Sequence, residues 1–114
     1  GGAIPKTMEA ESVLAALRGE EWSGREYLYA EQTKDGIYTE GPFMTMVRNQ
    51  NWKLVHFLDA PFGQLFDLQN DPDEMKNLWG DPAGSKEKAE LLAELREWHI
   101  RSQVHTAAWS EDWR

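Results

Sequence analysis

There is no cysteine anywhere in the 114 residues, which excludes disulfides, thiol catalysis and cysteine-ligated metals together. There is also no apolar run long enough for a membrane-crossing helix, and no apolar stretch after a basic start of the kind a secretory leader shows. Positive charge is scarce: 12 Lys and Arg stand against 20 Asp and Glu, a net charge of −8. Nucleic acid and anionic membrane surfaces both require a basic footprint, so neither is expected as a partner. No G-x-S-x-G elbow frames any serine, and no repeat or low-complexity tract occurs. The sequence assigns no compartment; periplasm and cytoplasm both fit.

What remains is 40% hydrophobic and contains six tryptophans, the composition of a folded globule. The length suits a single domain, residues 1–114. Its organising stretch runs from Trp52 to Leu78. Trp52–Leu58 and Gln64–Leu68 are β-branched and aromatic enough for strands, and Asp59-Ala60-Pro61-Phe62-Gly63 reverses the chain between them. Two earlier strands are expected over Arg25–Gln32 and Phe43–Arg48, with Asn49-Gln50-Asn51 as a hairpin turn. Met8–Arg18 carries apolar residues at near-helical spacing and ends at Gly19, so residues 1–24 read as a helix and linker. After the sheet (25–68), residues 69–84 hold two Asp-Pro turns. A final helix is expected over Ser85–Gln103, N-capped by Ser85, with Leu91, Leu92, Leu95 and Trp98 as its stripe. Residues 104–114 show neither helical nor strand period and read as a tail.

These elements predict an α+β fold, a four-stranded antiparallel sheet with a long C-terminal helix packed on one face. The strands alternate poorly: Phe43 and Val47 oppose Met44 and Met46, and Val55 and Phe57 oppose Trp52, Leu54 and Leu58. A sheet apolar on both faces needs two covers, and the chain offers one good one. The second is either the N-terminal helix with the tail, or a domain outside the chain.

Asn70-Asp71-Pro72-Asp73-Glu74 carries its own reading: Asp71 as N-cap, Pro72 at the first helical position, and Glu74 reaching back as a capping box. In FGQLFDLQNDPDEMKNL, preceded by MVRNQNWKLVHF, the chain resembles the C-terminal part of the type I sulfatase family (arylsulfatases, choline sulfatase-like and related enzymes of the alkaline phosphatase superfamily). The family pattern R-x-x-x-W/Y-K followed by L-Y/F-D-L-x-x-D-P-x-E-x-x-N-L is matched by Arg48, Trp52, Lys53, Leu65, Phe66, Asp67, Leu68, Asp71, Pro72, Glu74, Asn77 and Leu78. The resemblance extends over about Ile4 to Ser102 and implies a subdomain of an enzyme that hydrolyses sulfate esters. The parent would need a divalent cation, calcium or magnesium, and a formylglycine. Neither the C/S-x-P-S-x-R formylglycine sequence nor the family's metal segments occur here, so no catalytic residue, metal ligand or cofactor is assigned to this chain. The resemblance implies a structural role for Lys53, Asp67, Asp71, Pro72 and Glu74. It also implies the parent's catalytic domain as partner, with homo-oligomer contacts as a further expectation.

Other chemistry fares less well. Asp67, Asp71, Asp73 and Glu74 lack the register of a calcium loop. His99 and His105 are six apart, off any shared helical face, and His56 lies on a strand, so a zinc site is not expected. Gln32, Lys34 and Arg48 are candidates for a substrate-pocket rim, because the loop Gln32–Pro42 is the segment expected to face the active site. The tryptophans raise one alternative, a free-standing carbohydrate-binding or protein-interaction module. That reading requires several exposed, coplanar rings or a stable dimer through the sheet.

Overall fold

The computed structural model describes Met8, residues 10–33 and residues 41–111, with side chains described up to Thr106. The element order is α1 (Leu14–Leu17), β1 (Leu28–Gln32), β2 (Met44–Arg48), β3 (Trp52–Phe57), β4 (Gly63–Asp67), a 3-10 turn (Pro82–Gly84) and α2 (Ser85–Glu111). The four strands form one antiparallel sheet in sequential order, and with α2 they make the expected α+β fold. The chain divides into two compact units, residues 25–96, and residues 1–24 with 97–114.

Within residues 25–96 the register sorts side chains onto two faces, since neighbours along a strand point oppositely. One face is crossed by the row Tyr29, Val47, Leu54, Leu65, with Thr45 and His56 in the next row. Val47, Leu54 and Leu65 are fully buried, and Leu91 and Leu95 of α2 are nearly so. Complete burial of side chains this size stabilises by about 1.5–3 kcal/mol each. The Tyr29 hydroxyl donates to Glu94 Oε1 at 2.6 Å, which ties β1 to α2. Where α2 starts, a Cβ at Gly84 would come within 2.6 Å of Leu65 Cδ2, so helix and sheet approach closely there. α2 therefore packs on this closed face. The other face carries Leu28, Ala30, Met44, Met46, Val55 and Phe57, none of them buried, and no described helix of this unit lies over it.

Three local expectations need correction. The N-terminal helix is one turn, Leu14–Leu17, without a side-chain N-cap. Val13 occupies the cap position and Leu14 and Leu17 remain exposed, so no tertiary burial offsets the cost of nucleating a longer helix. Ser85 is not an N-cap; its backbone is already helical, and Asp81 caps the 3-10 turn that leads into α2, accepting from the Ala83 N–H at 2.9 Å with Pro82 next in line. Finally, α2 continues past Gln103 to Glu111, through the supposed tail. Ala107 and Ala108 favour helix, and propensity sustains the backbone where apolar periodicity has ended.

Candidate functional site

The turn after β4 concentrates the polar residues of the sequence motif, and the structure gives each a bond. Asp67 ends β4, its Oδ1 accepting from the Gln69 and Asn70 N–H groups at 3.1 and 3.2 Å, its Oδ2 from Asn70 Nδ2 at 2.7 Å. Those bonds, the Asn70 side chain foremost, hold its carboxyl below the ordinary range. Asp71 accepts from the N–H groups of Met75 at 2.9 Å and Lys76 at 2.8 Å. Its cap thus lies further along the chain than a helix N-cap would, and no helix follows.

Glu74 departs from the capping-box expectation. Its φ is +55°, which points its side chain away from the start of the turn, and Glu74 Oε2 instead accepts from Lys53 Nζ. Both side chains are about a quarter to a third exposed, so the ion pair is partly shielded from water. Lys53 Nζ also lies 5.7 Å from the centre of the Phe66 ring, which the turn leaves nearly buried. The turn thereby folds back over one corner of the face opposite α2.

Asn77 works on the outer edge of β4. Its Oδ1 accepts from the Leu65 and Trp79 N–H groups, both at 3.0 Å, while its Nδ2 donates to the Gly63 carbonyl at 2.9 Å. Leu78 N–H then donates to the Leu65 carbonyl at 2.8 Å. This short segment satisfies the edge as a fifth strand would. Trp79 follows with its ring on Gly63, where any Cβ would collide with it, and Lys88 Nζ donates to the Trp79 carbonyl at 2.7 Å. Sequence reading matched Asn77 to the family pattern without giving it a role, and it placed Gly63 in the turn, whereas the structure puts that glycine in β4 at a point of close approach.

The rim candidates are not brought together. The register pairs Gln32 with Met44 and Arg48 with Leu28, so they stand at opposite ends of the β1–β2 ladder, about 13 Å apart at ~3.3 Å per residue. Both are exposed, and Lys34 lies outside the described residues. Among the described residues no three His, Asp or Glu side chains are grouped to hold a metal ion. The motif carboxylates do not fit that task, being committed to backbone N–H groups and to Lys53. Tyr27, near the β1 edge, has its hydroxyl pKa pushed up by burial first and then by Glu26, Glu94 and Glu90, against a hydrogen bond with Asn49. Of the tryptophans with described side chains, only Trp22 is largely exposed; Trp52, Trp79 and Trp98 are half-buried. Among the described residues no helix is long and apolar enough to cross a membrane.

Residues 1–101 match the family model described as N-sulphoglucosamine sulphohydrolase, C-terminal. The chain belongs to that family. It is a C-terminal subdomain of the sulfatases, in the alkaline phosphatase superfamily. It is 35% identical over 104 residues to a Delta 4,5-hexuronate-2-O-sulfatase of Bacteroides thetaiotaomicron, covering 90% of this chain and 21% of that protein. It is 32% identical over 93 residues to an uncharacterized protein of Haemophilus influenzae, covering 82% of this chain and 46% of that protein. Among solved structures, a putative sulfatase from Bacteroides thetaiotaomicron superposes with a TM-score of 0.75 at 33% identity, covering 89% of this chain and 22% of that one. This sulfatase subdomain thus spans between a fifth and a half of the length of these relatives.

Proposed function

We propose that this chain is the non-catalytic C-terminal subdomain of a longer sulfatase, completing the enzyme's fold and shaping one wall of its substrate pocket. The observation that carries the reading is the commitment of the motif to architecture. Lys53, Asp67, Asp71 and Glu74 spend their charge on one turn and one strand corner, with Pro72 inside that turn. None is left to act on a substrate. The hydrolysis of a sulfate ester, with the formylglycine and divalent cation such enzymes use, belongs to the rest of the polypeptide. A sulfated sugar is the substrate class we favour for the parent, because the matched family and the Bacteroides relative are both named for sugar sulfates. The contribution to the pocket belongs with Gln32, which adjoins the 33–42 connection, and with Lys34 in that connection. Arg48 stands at the far end of the ladder from Gln32.

The test is co-expression of the catalytic portion of the polypeptide with and without this chain, assayed on 4-nitrophenyl sulfate. The expected result is a 1:1 complex that hydrolyses the ester, with neither part active alone. Hydrolysis by this chain alone, or full activity of the catalytic portion without it, would overturn the reading.

A further inference from the structure

The sheet of residues 25–96 is apolar on both sides, and one side is left without a cover from this unit. α2 closes the face of Val47, Leu54 and Leu65. On the opposite face Met44, Met46, Val55 and Phe57 are half-buried, Leu28 is exposed, and the Phe62 ring lies tilted against Phe57 with ring centres 5.3 Å apart while itself half in solvent. This apolar centre has polar residues at its margin: Gln32 at one end of β1, Arg48 and Lys53 in the row at the other end of the sheet, and Gln64 on the edge strand β4. An apolar centre inside a polar rim is the anatomy of a protein–protein interface. The turn after β4 covers only the Lys53–Phe66 corner.

We infer that the open face of Leu28, Met44, Met46, Val55, Phe57 and Phe62 is the seat of the sulfatase catalytic domain. The inference rests on the proposed function and specifies the surface through which it operates. The occupant follows from length: the chain spans only 21–22% of the sulfatases it matches at 33–35% identity, and a C-terminal domain pairs with the remaining, catalytic part. A domain several times larger can cover a whole sheet face, which the turn at one corner does not.

The absence of cysteine makes the test direct. Met46→Cys introduces a single thiol on the open face, and Ala93→Cys places one on an exposed position of α2. On adding the catalytic portion, alkylation of the Met46→Cys thiol should slow by roughly tenfold or more, as solvent is excluded from an interface core. The Ala93→Cys thiol should react unchanged, and Met46→Asp should lose the complex while keeping the circular dichroism of the parent chain. Two results overturn the inference with the proposed function intact: equal reactivity of Met46→Cys free and in an active complex, or an active complex formed by Met46→Asp. Protection of Met46→Cys in the chain alone, growing with its concentration, would name a second copy as occupant and also overturn it. If the unsubstituted chain forms no complex, the proposed function fails, and this inference with it.

Discussion

The closed and open faces of the sheet draw on the same kinds of side chain, yet only one is finished within residues 25–96. On the closed face Val47, Leu54 and Leu65 reach full burial beneath α2, and Tyr29 is tied to Glu94. On the open face residues one position away in the same strands keep part of their surface in water. The difference teaches that hydrophobicity does not by itself define a core. The same two-residue period yields a core where α2 arrives, and a partly exposed apolar face where no other element of the unit does.

The sharpest way to break this comparison is a pair of adjacent substitutions in β3. Leu54→Ala should cost about 2–5 kcal/mol, through lost transfer energy and an unfilled cavity. Val55→Ala, on the open face, should cost about 1 kcal/mol or less in the chain alone, because its neighbours can relax into solvent. Urea unfolding of both variants decides it, and equal losses would mean the open face is as enclosed as the closed one. Next in size is the clasp on β4. Asn77→Ala removes the acceptor for the Leu65 N–H and should cost about 1–3 kcal/mol, with hydrogen exchange at the Leu65 amide accelerating ahead of that at Leu54. Unchanged exchange at Leu65 would show that the clasp does not guard the edge.

The smallest expected effect is acid sensitivity. Asp67 and Asp81 both titrate below the ordinary carboxylate value, Asp67 chiefly through the Asn70 side chain and Asp81 chiefly through the Ala83 N–H. The unfolded chain therefore binds these protons more tightly than the folded one. The stabilisation is complete above the ordinary carboxylate range and is lost as pH falls through the lowered folded values. The melting temperature, followed from neutral pH down to about pH 3, should fall, and Asp67→Asn with Asp81→Asn should flatten that fall. An unaltered profile in the double variant would assign acid sensitivity to other groups.

Much of this arrangement was legible in the sequence. The four strands and the start of the long helix follow from β-branched and aromatic runs punctuated by Asn, Pro and Gly. Both are local signals. The long motif ending in Asn77 and Leu78 pointed to the sulfatases. What stayed hidden was non-local or marginal. Glu74 looked like a capping residue because spacing cannot show a backbone in the left-handed region. Met8–Arg18 has a helical pattern, but pattern without burial sustains one turn. The extent of α2 was underestimated because its last turns depend on propensity, whereas the apolar period stops earlier. The register puts Gln32 and Arg48 at opposite ends of the β1–β2 ladder, a separation that their polarity alone does not reveal.

The separations spanned by the tertiary bonds also set an order of assembly. Asn77 reaches Leu65 across 12 residues and Glu74 reaches Lys53 across 21, whereas the bond from Tyr29 to Glu94 spans 65. Closing a longer loop costs more chain entropy, so the short connections can form before the long one. During synthesis from the N-terminus, the hairpins and their clasp need nothing beyond Trp79, while the tie to α2 must wait for Glu94. The last step of folding would then be the lowering of the helix onto a sheet whose register and β4 edge are already set.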